Sequence, residues 1–252
     1  MVQLTQSEKE AICRRAAAHL SVLRKTLHLS QAKFGELAGI SRARIIQVEN
    51  GSSSLSWSQM TSVLFIALGN ARTKEYLYKN NVLGPRFLQY MQEKDANIPP
   101  QTNIKVHEEL ISLYYEKTRP LGTSNELVQF SKEERLAFCA YMLPRIGDLR
   151  RVLQMSQATL ADLAGISRAR LIQLEKQKVR LSWSQMTSIL CVCMLNLRAK
   201  EYLFANLILP PRFLQYIQQK SANEAPTLNI RVPEKFIMSY AEMLNVLSKE
   251  TV

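Results

Sequence analysis

The chain has 252 residues, of which 46% are hydrophobic and 21% charged, proportions that fit a globular fold and exclude a disordered chain. Four cysteines and three histidines are too few for a disulfide scaffold or a rich metal centre, and eight glycines with nine prolines argue against a turn-dense all-β fold. Lysine and arginine total 33 against 21 acidic residues, a formal charge of +12 that suits a polyanionic partner.

In chain order the pattern is helical almost throughout. The start, MVQLTQSEKE, lacks the basic and apolar stretches of a signal peptide, so a cytoplasmic protein is expected. Ser7 reads as the cap of a helix over 7–25, with Ala11, Arg14, Arg15, Ala18 and Val22 at helical spacing. Two short helices follow at 31–38 and 41–49 with Gly39 between them. Ser58 opens a helix over 58–69 that carries Met60, Val63, Leu64, Ala67 and Leu68 on one face. Helices at 72–80 and 85–94 come next, the latter started by Pro85. Residues 96–103 are irregular, and 107–117 close the unit with one more helix. The strand-like stretches are NIKV (103–106) and NIRV (229–232), which either pair with one another or form extended linker. The longest apolar runs, Val63 to Leu68 and Ile189 to Leu195, fall far short of the roughly 20 residues of a membrane span, so no membrane partner is expected.

Shifted by 126 residues, the sequence lies on itself. LSQAKFGELAGISRARIIQVE (29–49) lies on MSQATLADLAGISRARLIQLE (155–175), LSWSQMTSVL (55–64) on LSWSQMTSIL (181–190), and PRFLQY (85–90) on PRFLQY (211–216). Positions 23–106 match 48 of 84 residues without a gap. The reading is a tandem duplication: a first repeat with C-terminal helices over 1–120, a linker over 121–130 inside TRPLGTSNELVQF (118–130), and a second repeat with C-terminal helices over 131–252. Both halves are basic, 16 against 11 in residues 1–126 and 17 against 10 in residues 127–252.

The repeated core has the logic of a helix-turn-helix. Two short helices that cross steeply need a small residue at the contact, and Gly35 and Ala161 hold that place. Gly39 and Gly165 permit a left-handed turn, and Ser41 and Ser167 cap the second helix. Phe34, Leu37, Ile40, Ile45 and Val48 supply an apolar face, repeated by Leu160, Leu163, Ile166, Leu171 and Leu174. Arg42, Ala43, Arg44, Ile46 and Gln47 remain on or near the other face.

At these residues the chain resembles the lambda-repressor-like (Cro/CI, or XRE) helix-turn-helix family. The string runs from Leu23 to Gly51 and again from Leu149 to Glu175: Leu-Arg, then Leu-Ser-Gln or Met-Ser-Gln, a small residue, Ala-Gly-Ile-Ser, an arginine and a glutamate. The resemblance covers about residues 7–70 and 133–196. It implies an all-α fold of two such domains forming a pseudo-dimer, with the second helix of each motif in the DNA major groove and the first residue of the preceding helix on phosphate or base. Carried over, Gln31 and Gln157 are the leading contacts. Ser41, Arg42, Ala43, Arg44, Gln47 and Asn50 are DNA-binding positions in the first half; Ser167, Arg168, Ala169, Arg170 and Gln173 are theirs in the second. Arginine matches the two acceptors of guanine, glutamine matches adenine, and alanine leaves room for a thymine methyl. Because SRARIIQ and SRARLIQ differ only at Ile45/Leu171, both halves are expected to read the same half-site.

Two departures stand out. KQKVR (176–180) replaces NGSSS (50–54), so the second half loses the glycine that often ends the recognition helix and gains Lys176, Lys178 and Arg180 for phosphate. Ile46 and Ile172 are apolar at a site that is often polar, and meet either thymine methyls or another protein surface. Trp57 and Trp183 read as core or inter-domain packing rather than base stacking. Tyr76, Phe87 and Tyr90, with Tyr202, Phe213 and Tyr216, read as core with a second use between the halves. Cys13 and Cys139 read as small buried residues, and Cys191-x-Cys193 has no neighbouring ligands to make a metal site.

The expectation is therefore a DNA-binding transcription regulator, a repressor of bacterial cytoplasm, with no enzymatic activity, no cofactor and no metal. It binds double-stranded DNA with two half-sites, inverted if the halves pack about a two-fold axis and direct if they pack head to tail. A further copy of itself or a protein partner stays open, as does ligand control, although nothing polar converges on 71–126 or 197–252 by sequence. The alternative is a helix-turn-helix scaffold or accessory protein that binds a protein partner and meets DNA only non-specifically.

Overall fold

The computed structural model describes residues 1–118 and 122–237; residues 119–121, at the junction of the expected first repeat and linker, and 238–252, the end of the expected second repeat, lie outside the described residues. The first half runs α1 (Gln6–Ala18), α2 (Leu20–Thr26), α3 (Gln31–Ala38), α4 (Arg42–Glu49), α5 (Trp57–Leu68), α6 (Ala71–Lys79), α7 (Pro85–Met91) and α8 (Glu108–Thr118). The second runs α9 (Lys132–Met142), a 3-10 turn (Leu143–Arg145), α10 (Ile146–Val152), α11 (Gln157–Ala164), α12 (Arg168–Glu175), α13 (Trp183–Met194), α14 (Leu197–Ala205) and α15 (Pro211–Gln218). The described residues form no strand; Leu127 and Ser221 make one isolated bridge.

Local hydrogen bonding sets these boundaries. Thr5, not Ser7, caps α1, in a capping box with Glu8, and Ser131 with Glu134 does the same for α9. The helix expected over 7–25 is broken at His19, and its counterpart breaks at the 3-10 turn holding Pro144, which has no N–H to continue the ladder. Ser56 with Gln59 and Ser182 with Gln185 box the starts of α5 and α13, so α5 begins one residue before the expected Ser58. Pro85 and Pro211 open α7 and α15 at the position where a missing N–H costs nothing.

The centre of the molecule is the crossing of α5 and α13. Both are buried along nearly their whole length, Met60 to Ala67 and Met186 to Cys193. At the crossing, Thr61 meets Ser188 at 2.6 Å between hydroxyl oxygens and Ser62 meets Thr187 at 2.7 Å. Ser62 also donates to the Ala38 carbonyl and Ser188 to the Ala164 carbonyl, each at 2.6 Å. These four fully buried hydroxyls are thus all partnered, as burial of polar groups requires.

Contacts between the halves come in reciprocal sets. Trp57 Nε1 donates to the Leu163 carbonyl at 2.8 Å and Trp183 Nε1 to the Leu37 carbonyl at 2.7 Å. Asn70 donates to Ile217 O at 3.1 Å and Asn196 to Met91 O at 3.2 Å. Glu36 accepts from Tyr216 and pairs with Arg135, while Asp162 accepts from Tyr90 and pairs with Lys9. The two strand-like stretches do meet, though not as a ladder. The Asn103 side chain makes two bonds to the Val232 backbone, 2.8 and 3.1 Å, and Asn229 makes two to Val106, both 2.9 Å.

Chain entry is also matched. Val2 N–H donates to Lys94 O at 2.8 Å and Val128 N–H to Lys220 O at 2.9 Å. Val128 and Phe130 are buried, and Phe130 stacks on Tyr216 with ring centroids 4.9 Å apart. The described part of the 121–130 stretch is therefore packed onto the second half, where Asn223 also donates to the Ser124 carbonyl at 3.2 Å and to Asn125 Oδ1 at 2.5 Å. The tail of the first half crosses over: Tyr114, fully buried, donates to Leu209 O at 2.7 Å and sets its ring edge-on to Phe204.

The turn glycines carry a second duty here. Gly39 and Gly165 have φ of +66° and +67°, as the motif requires, but the start of the other half's central helix also lies against them. A Cβ at Gly165 would sit 2.6 Å from Ser58 N, and one at Gly39 would sit 2.8 Å from Ser184 N. Gly165→Ala therefore combines left-handed strain with a backbone clash, and should cost at least about 2 kcal/mol in chemical denaturation of the full chain.

Candidate nucleic-acid interface

The two motifs are built the same way. Ser30 caps α3 by accepting from Lys33 N–H, the chain turns through Gly39, and Ser41 caps α4 by accepting from Arg44 N–H. Ser156, Gly165 and Ser167 repeat this for α11 and α12. Ile45 and Val48 bury the inner face of α4, as Leu171 and Leu174 do for α12. At Gly35 a Cβ would collide with the Ile40 carbonyl, while the second half accommodates the single methyl of Ala161.

The outer faces present Ser41, Arg42, Ala43 and Gln47 on α4, and Ser167, Arg168, Ala169 and Gln173 on α12, all exposed. Asn50 is exposed past the end of α4, and Lys176, Lys178 and Arg180 are exposed past α12. Ile46 and Ile172 are half-buried on the flank. Arg44 and Arg170 behave differently from the other candidates. Arg44 folds back onto Ser53 and the Ser54 carbonyl. Arg170 folds back onto the Arg180 carbonyl at 2.6 Å, with its buried Nε lacking a partner among the described residues. Both guanidiniums brace the loop into the next helix, so among the described residues Arg42 and Arg168 are the arginines left exposed on the outer faces of α4 and α12.

Gln31 and Gln157 are half-buried at the starts of α3 and α11, and each amide is already engaged. Gln31 donates to Glu49 at 2.8 Å and Gln157 to Glu175 at 2.7 Å. The same carboxylates take forked bonds from arginine: Arg24 to Glu49 at 2.7 and 2.9 Å, Arg150 to Glu175 at 2.6 and 3.2 Å. Arg24 also reaches Leu29 O at 2.8 Å, and Arg150 reaches Met155 O at 3.1 Å. This clamp ties the last turn of the recognition helix to the two helices before it. Sequence reasoning quoted Leu-Arg and the closing glutamate as parts of a string and missed that they are a pair. The signal was there, since the 25-residue spacing of Arg24 and Glu49 recurs at Arg150 and Glu175.

Burial alone would raise the Glu49 carboxyl, but hydrogen bonds from Arg24 and Gln31 and the Arg24 charge outweigh it and hold it below the ordinary range. Glu175 is held down in the same balance by Arg150 and Gln157. The cysteines lie apart from this face and are all buried, which pushes the Cys13 thiol up to about 11 and Cys139 to about 12. No group of three His, Cys, Asp or Glu side chains among the described residues is placed to hold a metal ion, and no helix there is long and apolar enough to cross a membrane.

Two helices joined by a left-handed glycine, the second with its outer face free, define a helix-turn-helix, a class whose members bind DNA. A family model described as helix-turn-helix matches residues 20–56, the stretch from α2 through α4 to the Ser56 cap. The matched segment holds the first set of candidate contacts and its Arg24–Glu49 clamp. No curated protein and no solved structure matches the chain.

Two outcomes follow from this geometry. The Glu49 clamp contributes its stability in full above the unfolded carboxylate value of about 4.3 and loses it as pH falls through the lower folded value. Glu49→Gln should lower stability by about 2–3 kcal/mol at neutral pH, with the gap to the unaltered protein closing in acid titration. At the ends of the recognition helices, Gly51 takes φ of +73° at no cost, whereas Gln177 takes +54° with a side chain. Gln177→Gly should stabilise and Gly51→Gln destabilise, each by about 1 kcal/mol in urea denaturation.

Proposed function

We propose that this chain is a sequence-specific double-stranded DNA-binding transcription regulator of bacterial cytoplasm, acting as a repressor, in which the recognition helices α4 and α12 of one pseudo-dimer read two similar half-sites. The observation that carries this reading is the reciprocity of the contacts between the halves. Trp57 to Leu163 is answered by Trp183 to Leu37, and Thr61 with Ser188 by Thr187 with Ser62. A head-to-tail contact uses two different patches; an interface in which each contact is returned is the isologous kind that a two-fold axis produces. The tandem repeat supplies within one chain what a homodimer gains by association, and the second half-site contact becomes intramolecular.

This pose favours an inverted repeat with half-site centres about 10 base pairs apart. Arg42 and Arg168 are the leading base-reading cations, with Gln47 and Gln173 beside them and Ala43 and Ala169 leaving space for a methyl. Gln31 and Gln157 approach from the preceding helix with their geometry fixed by the glutamate clamp. Lys176, Lys178 and Arg180 give the second half more phosphate contact than Asn50 and its serine neighbours give the first. Occupying a promoter is the simplest means of repression.

Selection of bound duplexes from a random pool tests the proposal. The intact protein should enrich two inverted copies of one half-site. Arg42→Ala or Arg168→Ala should each leave one copy enriched, at a cost of about 1–3 kcal/mol, roughly 10- to 100-fold in affinity. The double variant should keep only salt-sensitive, sequence-blind binding. Enrichment of direct repeats would overturn the two-fold pose. No enrichment, with binding that fades simply as salt rises, would overturn sequence-specific regulation in favour of the scaffold reading.

A further inference from the structure

A cavity of about 60 Å³ lies between the two halves, away from the recognition helices. Most of its walls come in equivalent pairs at the 126-residue offset, such as Phe65 with Cys191, Ile104 with Ile230 and Lys74 with Lys200, while Leu214, Ile217, Gln218 and Thr227 come from the second half alone. The cavity therefore sits where the two halves meet as equals, and there is one per chain rather than one per repeat.

Its lining is mostly apolar, with Lys74 and Lys200 as its charged residues beside Tyr78, Thr102, Gln218 and Thr227. Lys74 is 8% exposed and Lys200 5% exposed. Lys74 Nζ donates to the Ile230 carbonyl at 2.7 Å, and Lys200 Nζ to the Ile104 carbonyl at 2.8 Å with Asn229 Oδ1 at 3.5 Å. An ammonium has three protons to donate, so these contacts leave capacity on both. Among the described residues no carboxylate pairs with either one; the charge that Lys200 feels is that of Lys74. Burial brings Lys74 down to about 8, and burial with repulsion from Lys74 brings Lys200 to about 7.

Holding down a backbone carbonyl does not call for this arrangement. An uncharged donor satisfies a carbonyl at far lower desolvation cost than an ammonium. Two buried ammoniums lining one mostly apolar space raise each other's cost, and a single anion between them relieves it for both. Chloride or phosphate would supply the charge but would leave Phe65, Met194 and Ile217 without a partner surface. A water-sized position takes about 10–15 Å³, so the space suits a ligand of about four to six non-hydrogen atoms.

We propose that this cavity is the binding site of one small aliphatic monocarboxylate per chain, its carboxylate held by Lys74 and Lys200 and its hydrocarbon end packed against the apolar wall. The site stands or falls independently of the DNA reading, because the test contains no DNA.

Thermal unfolding of the full chain at neutral pH is followed with acetate, butyrate and hexanoate, against sodium chloride and phosphate at matched ionic strength. Butyrate should give a saturable rise in Tm of roughly 5 °C at a hundredfold excess over its Kd, with no comparable rise from chloride or phosphate. Lys74→Met with Lys200→Met, which keeps most of the side-chain length and removes both charges, should fold and lose the response. No saturable rise with any of the three carboxylates overturns the proposal, as does an equal rise in the double variant. A rise with phosphate matching that with butyrate overturns the assignment to a carboxylate. A second readout needs no variant: saturation transferred from protein methyl groups to the butyrate methyl should be seen by NMR and be competed by acetate, and its absence overturns the site.

Discussion

Where α5 and α13 cross, four hydroxyls hold the centre of a surface that is otherwise hydrocarbon. Thr61, Ser62, Thr187 and Ser188 are small enough for the two helices to approach closely, and their bonds are directional, so the crossing has one register rather than several. Apolar packing alone would allow a slide along the helix; the paired hydroxyls do not, because a slide would leave buried oxygens unpaired. Everything farther out is placed from this point. The tryptophans at the starts of the two helices reach the far turn carbonyls, and those turns carry the recognition helices. The spacing of α4 and α12 is thus set by the core.

That linkage gives the turn its unusual density of constraint. The glycine between α3 and α4 is needed for its backbone angle, and again for the room it leaves to Ser184 and Trp183 of the other half. The serine hydroxyl at 62 both joins the crossing and accepts its place under the Ala38 carbonyl, one residue before that same glycine. Domain architecture and interface are therefore not separable here. A change that loosens the motif also loosens the contact between the halves, and the reverse holds as well.

Local chemistry was largely legible in the sequence. Ser30, Ser41, Ser156 and Ser167 act within three residues of themselves, so their caps could be read from the string, and Gly39 and Gly165 announced their angles. Packing roles for Trp57 and Trp183 were also legible, from an apolar ring inside a helical pattern. Contacts between distant residues were not. Arg44 and Arg170 belong by pattern to a free face, and only the path of the following loop turns them back onto it. Lys74 and Lys200 look like solvent-facing charges on amphipathic helices, and nothing in either helix shows that each is covered by an arm from the other half. Phe130 sits in a stretch of turn-forming residues, and its burial depends on Tyr216 and Phe213, more than 80 positions away.

A protein that pairs by association must first find its partner, so at low copy number much of it is present as single subunits with half the contact surface. Here the α5–α13 crossing joins two parts of one chain, and its formation does not depend on concentration. Dilution cannot take the halves apart. On the proposed reading, occupancy of a paired site follows the first power of the number of molecules in the cell instead of its square, and a single newly made chain arrives with α4 and α12 both already in place.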